Sequence, residues 1–487
     1  MKKIMLIYPP GQAYQRGEDR CQINVEASVS NSLRACNDLG YVSSILKQQN
    51  YNVFLKDYPA ENQSLENFKK DFKALNPDIV FISITNGSIF EDLDFIENID
   101  NGAIIILKGA LFFNPEKEIF TDLNLSKVDY LIGGETEFII SDLLQAHFSN
   151  KQKLDEIQGI SYKKDGEWVS NNVIAFNENL DEIPFPDRSL MKNELYINPA
   201  TNKTIATIST SRGCPSSCIY CVSPVISGRK VRFRTPKSVV EELQECFEKH
   251  NIADFFFKSD TFTINKAWVI ELCDLIIDSN LCGKINWVAN SRVNTIDEEM
   301  LAKMKKAGCS VIALGLESGS DESLKLMKKG TTVEQNKKAV NLIKKFGFKI
   351  FGFYLIGFPW ENQDHLKQTR KLIFELDTDF IELSIATPFK GSELYSMLYE
   401  KLEKGEKVLG KDSFKYSTIG TDYLSVDELQ AFRKDVLIKY HLRPSYILKK
   451  IFSKNITPQL FCNYVKYGFR LLKNLFLGTR HNKFDKH

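Results

Sequence analysis

The stretch Thr210-Ser-Arg-Gly-Cys-Pro-Ser-Ser-Cys-Ile-Tyr-Cys221 decides how this chain is read. Cys214, Cys218 and Cys221 stand in a C-x3-C-x2-C spacing, short enough for one turn to bring three thiolates to one metal centre. Four thiolates would close an iron–sulfur cluster; three leave one iron with a free position, which a cluster needs if it is to bind and reduce a substrate. The competing reading is three buried or zinc-binding cysteines. Zinc usually takes four N/S ligands in paired short spacings, and no fourth Cys or His lies near these three in the sequence. The segment Ile205–Ser209 just before them reads as a buried strand. The cysteines therefore follow a strand's C-terminal end, where α/β folds collect their sites.

Downstream, strand and helix signals alternate. Thr235-Pro236 opens a helix, with Thr as cap and Pro in the first turn. Cys246 and Cys273 repeat with apolar neighbours at helical spacing, so they are read as core residues rather than ligands. Strands are expected at 253–257, 285–289, 311–316, 350–356 and 380–385, which with Ile205–Ser209 makes six strand–helix units. Polar residues gather where these strands end: Lys258-Ser259-Asp260, Asn290-Ser291-Arg292, and Gly315-Leu316-Glu317-Ser318-Gly319. A helix cap for Asp260 and a surface salt bridge for Glu317 are the structural alternatives.

Upstream, residues 1–150 also alternate. Strands are read at Lys3–Tyr8, 53–55, Ile79–Ser83, 103–107 and 128–132, with helices at 33–49, Leu65–Leu75, 90–99 and 135–148. That pattern predicts a doubly wound parallel sheet, a flavodoxin-like (Rossmann-like) α/β domain. Its strand ends carry Pro9-Pro10-Gly11, Ser83-Ile84-Thr85-Asn86, Lys108-Gly109 and Gly133-Gly134-Glu135. Glycines let backbone approach a ligand, although glycine at strand ends is commonplace. Residues 151–204 are read as a connector. It holds a hairpin across Asp165-Gly166 and a stiff spacer, Ile183-Pro-Phe-Pro-Asp187.

Taken in order, these motifs resemble the radical S-adenosylmethionine (radical SAM) family, whose signature is C-x3-C-x-aromatic-C; Tyr220 fills the aromatic position. The resemblance spans about residues 1–400. A flavodoxin-like domain ahead of the core is similar to the cobalamin-binding subgroup, class B, which includes methyltransferases and the anaerobic Mg-protoporphyrin ester cyclase. It implies a partial (βα)6 barrel at 205–392 and a [4Fe-4S] cluster on Cys214, Cys218 and Cys221. It implies S-adenosylmethionine held by Tyr220, Asp260, Ser291, Arg292, Glu317, Ile356 and Gly357. It also implies cobalamin held by Pro10, Gly11, Ser83, Thr85, Asn86, Gly109, Gly133, Gly134 and Glu135. The chemistry it implies is a 5′-deoxyadenosyl radical acting on an unactivated carbon, with methyl transfer as the leading outcome and oxidative cyclisation as the variant. A flavodoxin or ferredoxin would supply electrons. One departure stands out: no D-x-H-x-x-G motif is present, and the first histidine is His147, so no histidine of this domain is expected to ligate cobalt. A methylthiotransferase would need a second cluster on three N-terminal cysteines, but only Cys21 and Cys36 precede Cys214. A non-enzymatic corrinoid or iron–sulfur carrier would leave the strand-end polar set without a task.

Residues 393–487 read as a helical region. From His441 onward ten Lys/Arg face one acid, Asp485, with aromatic and aliphatic residues interleaved. Such helices sit on anionic membrane surfaces; a helical cap on the barrel mouth with a solvated basic face is the preferred reading. Over all 487 residues the hydrophobic fraction is 43%, the charged fraction 26% and the net charge +2, which makes no case for nucleic acid. No apolar run reaches the roughly 18 residues of a membrane span, and the start is too short for a signal peptide. Ten scattered cysteines in a chain of this length do not suggest a disulfide framework. A cytoplasmic protein acting on a small-molecule or lipid-like substrate is expected.

Overall fold

The computed structural model describes residues 1–14, 16, 33–149, 153–403, 419–452 and 458–476. The first unit runs β1 (Lys3–Tyr8), α1 (Asn37–Gln48), β2 (Asn52–Asp57), α2 (Leu65–Leu75), β3 (Ile79–Ser83), α3 (Ile89–Ile96), β4 (Ile104–Lys108), α4 (Lys117–Asp122), β5 (Tyr130–Ile132) and α5 (Thr136–Ser149). The five strands pair in parallel in the order β2-β1-β3-β4-β5. Their side chains serve two layers. Ile4 and Leu6 pack with Leu39, Val42 and Leu46 of α1 and Leu143 of α5. Met5 and Ile7, pointing the other way, pack with Phe68 of α2 and Ile89 of α3. This two-faced burial is why β1 and β3 read as continuous apolar runs. The strand order reverses between β1 and β3, and a crevice opens there at the C-terminal strand ends.

The hairpin β6 (Ile160–Lys164) and β7 (Glu167–Asn171) turns at Asp165 and Gly166, both left-handed with φ of 52° and 88°. Read from the sequence as part of a connector, it instead pairs antiparallel with β5 and completes a seven-stranded sheet. It covers an edge that the three-residue β5 would otherwise leave exposed.

The second unit runs β8 (Ile205–Ser209), β9 (Ser211–Arg212), α6 (Ser223–Ile226), β10 (Arg232–Phe233), α7 (Pro236–His250), β11 (Asp254–Lys258), α8 (Lys266–Asp278), β12 (Asn286–Ser291), α9 (Glu298–Lys306), β13 (Cys309–Glu317), α10 (Asp321–Leu326), α11 (Val333–Lys345), β14 (Lys349–Ile356), α12 (Gln363–Leu376) and β15 (Phe380–Ile385). β8, β11, β12, β13, β14 and β15 form one parallel sheet in chain order, the arrangement of an open (βα)6 barrel. On β14, Ile350, Gly352, Tyr354 and Ile356 are buried, while alternate residues Phe351, Phe353 and Leu355 are half-exposed. One face of the sheet therefore seats the helices and the other lines an accessible interior. Cys246 and Cys273 lie in the helix-side core, as their spacing predicts.

Among the described residues four helices follow: α13 (Glu393–Glu403), α14 (Val426–His441), α15 (Pro444–Ile451) and α16 (Pro458–Phe476). α14 runs along β15, with Arg433 donating to the Leu383 carbonyl at 2.6 Å and the Tyr440 hydroxyl to the Thr378 carbonyl at 2.5 Å. The expected cap on the barrel mouth is not what α15 and α16 form. Arg443 pairs with Asp377 at 2.6 Å, Lys449 with Asp379 at 3.3 Å, and Lys450 donates to the Asp379 carbonyl at 2.9 Å. Asn463 of α16 donates to Asn202 at 3.1 Å. These partners precede β15 and β8, so the helices lie across the N-terminal strand ends. The acidic groups of the α12–β15 turn draw the tail's cations there.

Candidate active site at the junction of the two sheets

The cysteine loop leaves β9 through Gly213, whose φ is +100° and where a Cβ would stand 2.1 Å from the Lys230 carbonyl oxygen. Only glycine makes that turn without a shift. The Gly213 N–H donates to Asp260 Oδ2 at 2.8 Å, so the β11 loop holds the start of the cysteine loop. Cys214 and Cys218 are buried, Cys221 is half-buried, and none is in a disulfide. Among the described residues no three His, Cys, Asp or Glu side chains surround one point closely enough to hold a single metal ion. A zinc ion demands that convergence; the thiolates of a cluster bind separate irons, and three on one loop are the donor set a cluster uses.

Around the thiols the barrel ends converge. Arg292, after β12, donates to Cys218 Sγ at 3.6 Å and also to the Lys329 carbonyl. Glu317 ends β13 with φ of 57°, beside a register shift between Gly315 and Glu317. A left-handed glutamate is a strained conformation, and the bulge turns its side chain toward Lys329, which it meets at 2.6 Å. Gly315 makes room: a Cβ there would stand 2.6 Å from Glu317 Oε1 and 2.7 Å from Lys329 Nζ. Tyr220 hydrogen-bonds Glu317 and packs edge-on to Phe358; burial, then the charge of Glu317, pushes its phenol well above the usual range. The Ser291 and Thr331 hydroxyls are buried without a partner among the described residues.

Beyond β14, Gly357 turns with φ of +93° and donates to Glu361 Oε2 at 2.7 Å. Glu361 also accepts from the Phe358 N–H at 3.2 Å and the Ser323 hydroxyl at 3.0 Å. Burial pushes its carboxyl up to about 7, the accepted N–H bonds offsetting only part of that. Glu361 thus fixes the turn that follows Ile356, which is itself fully buried.

A polar cleft joins the barrel ends at β8, β9 and β11 to the first sheet. Asn37, Asp38, Lys108 and Glu137 line it from one side, and Ser209, Arg212, Ser259 and Asp260 from the other. The two walls are clamped. Arg212 pairs with Glu137 at 2.6 Å and with Glu135 at 3.2 Å, and Arg232 pairs with Glu135 at 2.9 Å. Although burial pushes Glu137 up, Arg212 holds it below its ordinary range. Asn37 donates across the junction to the Thr207 carbonyl at 2.6 Å. Among the described residues, Arg16 Nε, Asn37 Oδ1 and Thr136 Oγ1 are buried without partners, and all three residues line the cleft. Buried polar atoms without partners are costly, and their concentration here fits a cleft that closes on a polar, amide-bearing ligand.

The positions expected to hold cobalamin divide. Gly134 and Glu135 line the cleft. Ser83 donates to Asp38 Oδ2 at 2.6 Å, and Thr85 closes a local network with Ser88. Asn86 lies in that same loop, while Pro10 and Gly11 follow β1 without lining the cleft. At Gly109 a Cβ would meet Ile84 at 2.9 Å, and at Gly133 it would overlap the Phe112 carbonyl at 1.7 Å, so both glycines answer to packing. Of the barrel set, Asp260 lines the cleft, Tyr220, Arg292 and Glu317 surround the thiols, and Ser291 offers an open hydroxyl. The sequence reading passed over Arg16, Asn37, Asp38, Glu137 and Arg212. Arg212 stood inside the motif itself, and Asn37-Asp38 before an apolar helical pattern is a helix-start signal at a strand-end loop.

The radical SAM superfamily model matches residues 208–373. The chain is 31% identical over 423 residues to an uncharacterized methyltransferase of Pyrococcus horikoshii, covering 85% of this chain and 89% of that one. It is 29% identical over 378 residues to the anaerobic magnesium-protoporphyrin IX monomethyl ester cyclase of Rubrivivax gelatinosus, covering 75% and 66%. The fold superposes on the cobalamin-dependent S-adenosylmethionine radical enzyme OxsB with a TM-score of 0.71 at 19% identity, covering 98% of this chain and 72% of that one. With its three-cysteine loop and six-stranded parallel barrel, the chain belongs to the radical SAM superfamily, and its fold, a doubly wound sheet followed by the barrel, is that of the cobalamin-dependent enzyme on which it superposes.

Proposed function

We propose that this enzyme uses a corrinoid held by the first sheet together with S-adenosylmethionine held at the barrel mouth, and that it transfers a methyl group to an unactivated carbon. The observation that carries the reading is the clamped cleft between the two sheets' C-terminal ends, whose first-sheet wall holds the partnerless buried atoms of Arg16, Asn37 and Thr136. Cys214, Cys218 and Cys221 would hold a [4Fe-4S] cluster; Asn37, Thr136 and Arg16 would meet the corrinoid's amide groups. When bound, the reduced cluster supplies the electron that cleaves S-adenosylmethionine, and the corrinoid supplies the methyl group.

The chain's own part is orientation. Lys329 neutralises Glu317 and fixes its carboxylate beside Tyr220, as an acceptor for ribose hydroxyls. Ser291 keeps an open hydroxyl for a polar edge of the same ligand. Glu361 freezes the Gly357 turn, so that Gly357 presents fixed backbone at the end of β14, while Ile356, expected to face the ligand, packs instead in the helix-side core. The Arg212–Glu137 and Arg232–Glu135 pairs keep the walls in register and exclude water from between them. A flavodoxin or ferredoxin is the electron donor this scheme calls for. Likeness to the magnesium-protoporphyrin ester cyclase supports radical cyclisation as a second reading. Methylthio transfer is disfavoured: Cys36 is buried against the Tyr196 hydroxyl at 3.4 Å, and Cys21 lies outside the described residues.

The test is label transfer. Enzyme reconstituted with cluster and cobalamin is incubated with S-adenosylmethionine carrying a deuterated methyl group. Recovery of the labelled methyl on the corrinoid supports methyl transfer. Formation of 5′-deoxyadenosine with no label on the corrinoid sinks that reading and leaves cyclisation.

A further inference from the structure

The cations of α15 and its N-cap are drawn toward the barrel floor, Lys449 remaining partly exposed. Arg443, Lys449 and Lys450 are engaged with Asp377 and Asp379 on the floor of the barrel. The apolar side of the helix is left outside: Ile447, Leu448, Ile451 and Phe452 form one stripe at helical spacing, with Leu448 51% and Phe452 77% exposed. α16 repeats the pattern at i, i+4 and i+8 with Phe461, Val465 and Phe469, the last 71% exposed. Lys466 is exposed beside that stripe, and Arg470 is half-exposed. Isolated exposed apolar residues need no explanation, but an exposed stripe on each of two consecutive helices does.

We propose that the α15–α16 face docks on an anionic lipid bilayer, holding the enzyme by its barrel floor. Charge selects this occupant. Neither α15 nor α16 carries an acidic residue, and exposed Lys466 and half-exposed Arg470 flank the stripe, so a second copy seated on the same face would bring like charges together. A bilayer rich in acidic headgroups satisfies the cations while its acyl boundary takes the aromatic stripe. No helix among the described residues is long and apolar enough to cross a membrane, so the contact is peripheral. The docking face sits at the N-terminal strand ends and the cysteines at the C-terminal ends. The surface therefore anchors the enzyme and does not form the entrance to its site.

The test is co-sedimentation of the full chain, cluster loaded, with phosphatidylglycerol–phosphatidylcholine vesicles and with phosphatidylcholine alone. The expected result is partition onto the anionic vesicles that weakens with salt. It should fall by about ten-fold or more in Phe452→Asp/Phe469→Asp and, separately, in Lys466→Glu/Arg470→Glu. Both variants should keep the parent's thermal midpoint and 5′-deoxyadenosine formation, which separates lost docking from lost folding. Absence of partition onto anionic vesicles overturns the proposal, as does equal partition of parent and variants. A concentration-dependent dimer abolished by the same substitutions also overturns it, by assigning the face to a second copy.

Discussion

The two ends of the barrel are built on opposite plans. At the C-terminal end a glutamate is held at φ of 57°, the Ser291 and Thr331 hydroxyls are buried without partners, and burial pushes a carboxyl up to about 7. At the N-terminal end most such demands are met, the Tyr354 hydroxyl beside Thr378 being an exception. Asp254 accepts from Asn198 at 2.7 Å and from Thr201, Asp379 accepts the Ile350 N–H at 3.0 Å, and Trp287 donates to the Ala307 carbonyl at 2.8 Å. Both ends are cut from the same strands, so the difference is one of task. At the mouth the left-handed residue is a glutamate inside a strand bulge, among open hydroxyls, whereas at the floor the left-handed residues include the helix C-caps Asn251 and Asp377, types that adopt this conformation readily. Substitutions at the mouth should therefore change chemistry more than stability, and those on the floor the reverse.

The largest effect expected is from Cys214→Ala. It should abolish the cluster's visible absorption and all 5′-deoxyadenosine formation while shifting the thermal midpoint by no more than a few degrees. A collapse of the fold in that variant would break the comparison, because the mouth would then be carrying stability.

Glu361 is the mouth residue with the strongest pull on stability. Its pKa is raised in the folded chain from the ordinary glutamate value to about 7. Between those two values the folded chain binds the extra proton, so stability falls as pH rises through that window. The full effect is on the order of 3 kcal/mol. Glu361→Gln should flatten the thermal midpoint between about pH 4.5 and 7; an unchanged slope would show that another group titrates.

On the floor, Asp254→Ala removes the acceptor for Asn198 and Thr201 and should cost about 1–3 kcal/mol in denaturant unfolding. The rate of 5′-deoxyadenosine formation should stay within two-fold or so of the parent's, the distance from the thiols leaving chemistry untouched. Ser291→Ala should act in the opposite sense. Deleting a hydroxyl that has no partner leaves unfolding unchanged. It should raise the KM for S-adenosylmethionine by roughly three- to ten-fold, the value of one hydrogen bond. A destabilised Ser291→Ala with an unaltered KM would assign that hydroxyl to the fold.

Much of this architecture was legible where local chemistry demanded particular residues. Only glycine fits the turn ahead of Cys214, and Asp165-Gly166 turns with both residues left-handed. Cys246 and Cys273 followed apolar helical spacing into the core. What escaped depends on pairing between distant segments. Nothing within the hairpin says that β5 is its partner. Nothing in α15 says that its cations will meet Asp377 and Asp379 rather than the solvent. The cleft's first-sheet wall was missed for the same reason: Arg16 in the β1–α1 connection, Asn37 at the start of α1 and Lys108 at the end of β4 meet only in the fold, and the crevice between β1 and β3 exists only once the sheet is wound.

The most direct measurement is made on protein purified and reconstituted without oxygen, supplied with hydroxocobalamin and then reduced in the presence of S-adenosylmethionine. The account predicts a protein-bound corrinoid spectrum in the parent and in Cys218→Ala alike, with 5′-deoxyadenosine formed by the parent only. Deoxyadenosine formation without bound corrinoid would contradict it, leaving the barrel's chemistry intact but removing the ligand assigned to the cleft.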